Sequence, residues 1–387
     1  MTRWFNTAGP CQADIHYMLP ALERLPSVER LILQRGYFVI HAPRQTGKTT
    51  AMLALAQQLT EQGKYAAVTV SAETGAPFAN NVGEAENAIL EYWRWIFQAT
   101  LPEDLRPPEE TQAPPGRRIV SFLQSWAAKC PLPIVLFIDE IDALEDDVLI
   151  SVLRQLRAGY PRRPRNFPQS LALIGLRDVR DYKVASGSSP RLGTASLFNI
   201  KIESLTLRNF THSEVKSLYK QHTVDTGQVF TDEAVQLAYD LTQGQPWLVN
   251  ALARQMVEEL APDPSAELTV EHVKQAKEIL ILRQDTHLDS LAERLREPRV
   301  RAIIEPMLAG QELGNVSNED IQFLIDLGLC VMSPAQGLTI ANPIYREVLP
   351  RVLAFTPMAA LPQITPTWLN ADGKLSLDNL LQSFLSF

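Results

Sequence analysis

The chain has 387 residues, of which 45% are hydrophobic and 21% charged, with a formal charge of −8. That length exceeds one hydrophobic core, so two or three domains are expected, and the acidic balance offers no global attraction to nucleic acid or anionic membrane. Three cysteines (Cys11, Cys130, Cys330) lie far apart in no metal-ligand spacing, and no apolar leader or membrane-length run occurs, so a reducing, cytoplasmic setting is expected.

In chain order, the first 35 residues hold Ile15-His16-Tyr17-Met18-Leu19-Pro20 and a helical pattern over 28–34. A strand pattern over 37–41 ends in Ala42-Pro43-Arg44-Gln45-Thr46-Gly47-Lys48-Thr49-Thr50, and helical periodicity begins at once over 49–62. This strand–loop–helix order suits a phosphate-binding loop. Backbone N–H groups from Gln45 to Thr49 can curl around phosphate oxygens, assisted by the helix N-terminus. Lys48 is expected to reach the β- and γ-phosphates and the Thr49 hydroxyl to hold Mg2+. Ala42 stands where such loops usually begin with glycine.

A second strand is expected over 65–71, then an aromatic-rich helix over 84–98 (Tyr92, Trp93, Trp95, Phe97) of the kind that packs in a core or interface. A proline-rich stretch over 102–116 predicts a disordered loop. Helix 117–129 then leads to Ile134-Val135-Leu136-Phe137-Ile138-Asp139-Glu140-Ile141-Asp142. Its apolar run reads as a buried strand, with carboxylates at the C-terminal end, where α/β sheets place ligands. Asp139 is expected to order the Mg2+ shell and Glu140 to polarise the attacking water.

A helix is predicted over 145–157, and a basic patch, Arg154, Arg157, Arg162, Arg163 and Arg165, lies at and just beyond its end. It is either a solvated face or a contact for a polyanion or a neighbouring subunit's nucleotide. A strand over 171–176 ends in Arg177-Asp178, and a fifth is predicted over 198–202, after a Gly/Ser-rich loop. Arg177 can donate two hydrogen bonds to a γ-phosphate. Five strands alternating with helices predict an α/β fold with a parallel sheet flanked by helices. Helical patterns then cover 211–221, 231–242, 246–260 and 270–283, with Thr231 and Thr269 as helix starts and Pro246 in a first turn. Residues 299–355 give helix, helix, hairpin and helix, a winged-helix pattern. Over 287–355, six Arg face nine Asp/Glu, and the helix over 318–327 has no Lys or Arg. DNA binding through it is therefore not expected. A Pro/Thr-rich linker over 356–367 leads to an amphipathic run ending at Phe387, expected either to dock on this chain or to open a further domain.

The loop from Ala42 to Thr49, the Asp139-Glu140 pair, Arg177-Asp178 and Gly244-Gln245-Pro246 resemble P-loop ATPases of the AAA-like and STAND type, over roughly residues 14–355. The resemblance implies ATP and Mg2+ as ligands, Arg177 as a γ-phosphate contact, Pro246 as a nucleotide contact, and Tyr17 as a contact for the base or as ordinary packing. It also implies an ATPase domain over 1–204, a helical lid over 205–284, a winged helix over 285–355, and a linker with C-terminal helix over 356–387. The expected function is an ATP-binding, slowly hydrolysing switch exchanging ATP and ADP, in a homo-oligomer or with a fused or associated nuclease-like effector. The sequence itself contains no nuclease motif. A winged-helix DNA-binding regulator or loader, and a nucleotide-binding scaffold without turnover, are the alternatives.

Overall fold

The computed structural model describes residues 3–109, 113–176, 183–186, 189–193, 198–283, 294–360, 376–377 and 381. Its centre is a five-stranded sheet in the order β2-β3-β4-β1-β7, built from β1 (Tyr37–His41), β2 (Ala66–Ser71), β3 (Ile134–Asp139), β4 (Ser170–Gly175) and β7 (Glu203–Thr206). Every pairing is parallel, for example Tyr37 with Leu171 and Val70 with Ile138.

Side chains alternate across a strand, so each strand feeds two cores. Tyr37, Val39, Leu136, Ile138, Leu171 and Leu173 face one way. There they meet α3 (Val82–Thr100), α4 (Arg118–Lys129) and α5 (Asp146–Gly159). Phe38, Ile40, Val135, Phe137, Ala172 and Ile174 face the other way, against α1 (Val28–Leu33) and α2 (Lys48–Glu61). With both faces covered, β3 and β4 are buried along their whole length, as near-continuous apolar runs require.

Three local expectations change. The fifth strand is not 198–202: Phe198 is buried in a turn, Ile202 is 53% exposed, and pairing with β1 starts at Glu203. The alternating apolar pattern lies in the approach to an edge strand whose own residues, Leu205 apart, are polar. The Gly/Ser-rich loop contains an antiparallel hairpin, β5 (Lys183–Ser186) and β6 (Ser189–Gly193). In the proline-rich stretch, Leu105 is buried and its carbonyl accepts a hydrogen bond from Trp126 Nε1 at 2.8 Å, anchoring a short 3-10 turn. The aromatic helix divides as amphipathicity demands: Trp93 and Phe97 are in the core, whereas Trp95 is exposed.

The rest of the chain is mainly helical: α6 (His212–Thr226), α7 (Asp232–Thr242), α8 (Pro246–Gln255) and α9 (Val270–Arg283), then α10 (Pro298–Leu308), α11 (Asn318–Asp326), a hairpin of β8 (Cys330–Ser333) and β9 (Gly337–Ile340), and α12 (Pro343–Ala360). The helix starts carry their caps. Thr211 and Glu214 form a capping box, and Thr231 and Ser317 accept from Ala234 N and Asp320 N. Helix α12 runs on to Ala360, through the first residues of the expected linker. The amphipathic run behind it lies almost wholly outside the described residues. These helices share one core, which also takes in Phe5 and Tyr17 from the start of the chain. Among the described residues no helix is long and apolar enough to cross a membrane.

Candidate functional site

Strand β1 delivers the chain into the turn 42–47, where Gln45 (φ 58°) and Gly47 (φ 89°) take left-handed conformations and return the backbone to the N-terminus of α2. Glycine suits the second position because a Cβ there is strained. Ala42 is not among the left-handed residues, and its methyl is buried in the core under α2, so alanine at that position causes no backbone strain. The Lys48 ammonium donates to the carbonyls of Ala42 (2.7 Å) and Pro43 (2.9 Å), and the Thr46 hydroxyl donates to Pro43 at 2.9 Å. Burial lowers the Lys48 pKa, with Asp139, Asp142 and Glu140 opposing that shift.

Strand β3 brings the acidic pair to the same place. Thr49 Oγ1 donates to Asp139 Oδ2 at 2.6 Å, and Asp139 Oδ1 accepts from Glu140 N at 2.9 Å. Burial pushes the Asp139 carboxyl up, an effect the Thr49 and Glu140 hydrogen bonds counter. Glu140 sits in a left-handed conformation (φ 56°) and opens into the cleft. Desolvation raises its pKa, and the negative charges of Asp139, Asp142 and Glu73 add to the shift. A raised carboxylate facing a cavity is better suited to accepting a proton than an ordinary surface one.

These groups line a cleft of about 430 Å3, a size usual for small-molecule sites. Arg44, Gln45, Thr46, Gly47, Lys48, Thr49 and Thr50 form its floor together with Asp139 and Glu140, while Ala42 and Pro43 lie behind the loop. Pro246, at the first turn of α8, lies across the cleft with Trp247 and Asn250. Tyr17 reaches the wall from a packed position, 1% exposed, its ring 4.8 Å from Phe5 and 5.6 Å from His222. Arg177 lies outside the described residues; Gly175 and Leu176 just before it do line the cleft.

Two contributors escaped the sequence reading. Residues Asn6 to Cys11 close one side of the cleft. This strap is held by Trp247 Nε1 donating to Thr7 O (2.8 Å), Arg254 Nη1 donating to Thr7 Oγ1 (2.9 Å) and Cys11 N donating to Thr50 Oγ1 (3.1 Å). The second is Arg24, a buried cation under the loop. Its guanidinium donates to Thr46 O at 2.9 Å and to Arg208 O, and lies 4.8 Å over the Phe210 ring. Burial brings its pKa down to about 10. Only the Gly9-Pro10 turn hinted at the strap, and nothing local marks Arg24.

Among the described residues no three His, Cys, Asp or Glu side chains converge as a metal cluster. A hard divalent cation would here be held by Thr49 and Asp139, with the remaining positions filled by water and ligand oxygens, the usual arrangement for Mg2+. The donor set fits such an ion.

No family model and no curated protein match the chain. Among solved structures it is similar to a Walker-type ATPase of Pyrococcus abyssi, at 13% identity and a TM-score of 0.61, covering 89% of this chain and 99% of that one. More distant likenesses are to the ORC2 protein of Aeropyrum pernix (14% identity, 88% and 94% covered, TM-score 0.47) and the RuvB Holliday junction branch migration motor of Thermotoga maritima (17%, 84% and 92%, TM-score 0.43). The fold is that of P-loop ATPases. At this identity the likeness is one of architecture alone.

Proposed function

We propose that this chain is an ATP-binding, slowly hydrolysing switch of the AAA-like and STAND type. The observation that carries the reading is the convergence of Lys48, Thr49, Asp139, Glu140 and Pro246 on one cleft, although they come from three distant parts of the sequence. Lys48 exchanges its carbonyl partners for the β- and γ-phosphates, and the N-terminus of α2 faces the same negative charge. Thr49 and Asp139 would hold a Mg2+ ion, which would supply neutralisation of phosphate charge. Glu140 orients the attacking water and takes its proton. Because its pKa is raised, turnover should be lost on acidification at a higher pH than an ordinary glutamate would give.

Pro246 and Tyr17 bound the adenosine end, and Arg177, on its sequence position alone, is proposed to meet the γ-phosphate. Residues 205–284 act as a lid and 285–355 as a winged helix whose positions follow the nucleotide. The sequence beyond 355 links them to an effector. Helix α11 bears Glu319, Asp320 and Asp326 and no cation, which weighs against a DNA regulator reading through that helix.

The test separates binding from turnover. Lys48→Ala should lose ATP affinity by at least about a hundredfold in titration calorimetry. Glu140→Gln should keep it while phosphate release drops about 10²–10⁴-fold, the usual worth of a general base. Wild-type ATP affinity in Lys48→Ala would overturn the assignment. Binding without release in the unmutated chain would favour the scaffold reading.

A further inference from the structure

The cleft occupies the C-terminal end of the sheet and holds the carboxylates Glu73, Asp139, Glu140 and Asp142. The opposite end has the reverse character. Each parallel strand is entered there through a basic residue: Lys64 before β2, Lys129 before β3, Arg162 and Arg165 before β4, Arg35 before β1 and Lys201 before β7. No Asp or Glu occurs in the entering segments 34–36, 62–65, 129–133, 160–169 and 198–202. Lys64, Lys129, Arg35, Arg162 and Arg165 are exposed, as is Arg154 on the adjoining face of α5. An acidic protein thus carries one predominantly basic end, bordered by Glu61 at the end of α2, by Asp104 beside Cys130, and by Glu203, which pairs with Arg30 at 2.8 Å.

Helix C-termini attract cations through their dipoles, which accounts for Lys129 and Arg157 in the last turns of α4 and α5. Packing accounts for Arg163, whose Nε donates to Tyr160 O at 2.8 Å and whose guanidinium lies 3.5 Å over the Tyr160 ring. Neither explanation reaches Arg154, Arg162 and Arg165, for which no carboxylate partner occurs among the described residues. Strands in a sheet stand about 4.8 Å apart, so the row across five strands is about 19 Å wide. A phosphodiester chain presents a charge about every 3.4 Å along each strand and can engage such a row throughout, and guanidinium forks match its oxygens bidentately.

We infer that this end of the sheet, centred on Arg154, Arg162 and Arg165, is a docking surface for the backbone of a nucleic acid, read without sequence preference. It is independent of the cleft and of α11. The test is anisotropy of a labelled duplex of about 20 base pairs titrated with the full chain, without nucleotide, between about 50 and 200 mM salt. A dissociation constant on the order of 1–100 μM is expected, weakening steeply with salt. Arg154→Ala/Arg162→Ala/Arg165→Ala should weaken binding at least tenfold and reduce the salt slope by about 2–3, since each phosphate contact contributes about 0.9. Its thermal midpoint and ATP affinity should not change. If the triple variant does not fold, Arg162→Gln and Arg165→Gln singly should each lower the slope by about 1. Lys48→Ala should bind the duplex like wild type. No duplex binding at 50 mM salt, undiminished binding by the folded variants, or capture by anionic vesicles or polyglutamate with none by the duplex would each overturn the inference.

Discussion

Arg24 and Glu214 show how a buried charge beneath a phosphate loop is tolerated. Glu214 accepts two hydrogen bonds from Arg208 (2.6 and 2.9 Å), and it closes the capping box of α6 through Thr211 N at 2.7 Å. The Arg208 hydrogen bonds bring the Glu214 pKa down from 4.5 to about 2, and its negative charge also supports the Arg24 guanidinium. A depressed carboxyl stabilises the fold fully above its unfolded value of 4.5, and that contribution disappears as pH falls to about 2. Glu214→Gln keeps the capping geometry, because glutamine also serves at that position, but removes the charge. Its unfolding midpoint in urea should lie below wild type at pH 6 and converge on wild type by pH 2. Parallel curves over that range would mean the charge of Glu214 contributes nothing to stability.

At the level of elements, the turn joining α7 to α8 sets where Pro246 meets the cleft. Gly244 has φ +68°, and a Cβ there would lie 1.9 Å from the Phe210 carbonyl oxygen. The two residues are already tied by Phe210 N donating to Gly244 O at 2.8 Å. Gly244→Ala should therefore destabilise the protein by about 3 kcal/mol or more, read as a lower thermal midpoint, since both backbone strain and a backbone clash oppose it. A wild-type midpoint would show that the turn can move freely. Elements of this kind were legible in the sequence wherever a period or a punctuating residue announced them. Strand β3, helix α8 with Pro246 at its start, and the loop through Lys48 all declare themselves within a dozen residues. Strand β7 did not, because Glu203–Thr206 offers a single apolar side chain, Leu205, at the sheet's edge while Phe198 and Ile200 nearby imitate a strand. The strap and Arg24 were invisible for a different reason. Trp247 and Thr7 are 240 residues apart and Arg24 and Arg208 are 184 apart, distances at which local pattern carries no information.

For the whole molecule, the two ends of the sheet divide the chemistry: carboxylates and a phosphate loop at one, cations at the other, with the strands as spacer. The start of the chain meanwhile packs among helices made some 200 residues later. Arg3 pairs with Asp225 at 3.0 Å, Gln221 donates to Met18 O at 2.9 Å, and Phe5 lies 5.7 Å from Tyr219. Time enters through this arrangement. During synthesis the loop from Ala42 to Thr49 can form while the strap and Tyr17 still lack the helices that hold them. Such long-range closures form late because they carry the largest loop-closure cost. In refolding of the full chain, helical signal should return before affinity for a fluorescent ATP analogue, and simultaneous recovery would contradict this order. A ribosome-bound chain short of α8 would then hold the phosphate loop with one side of its cleft still unbuilt, so the first residues made would be among the last to find their place.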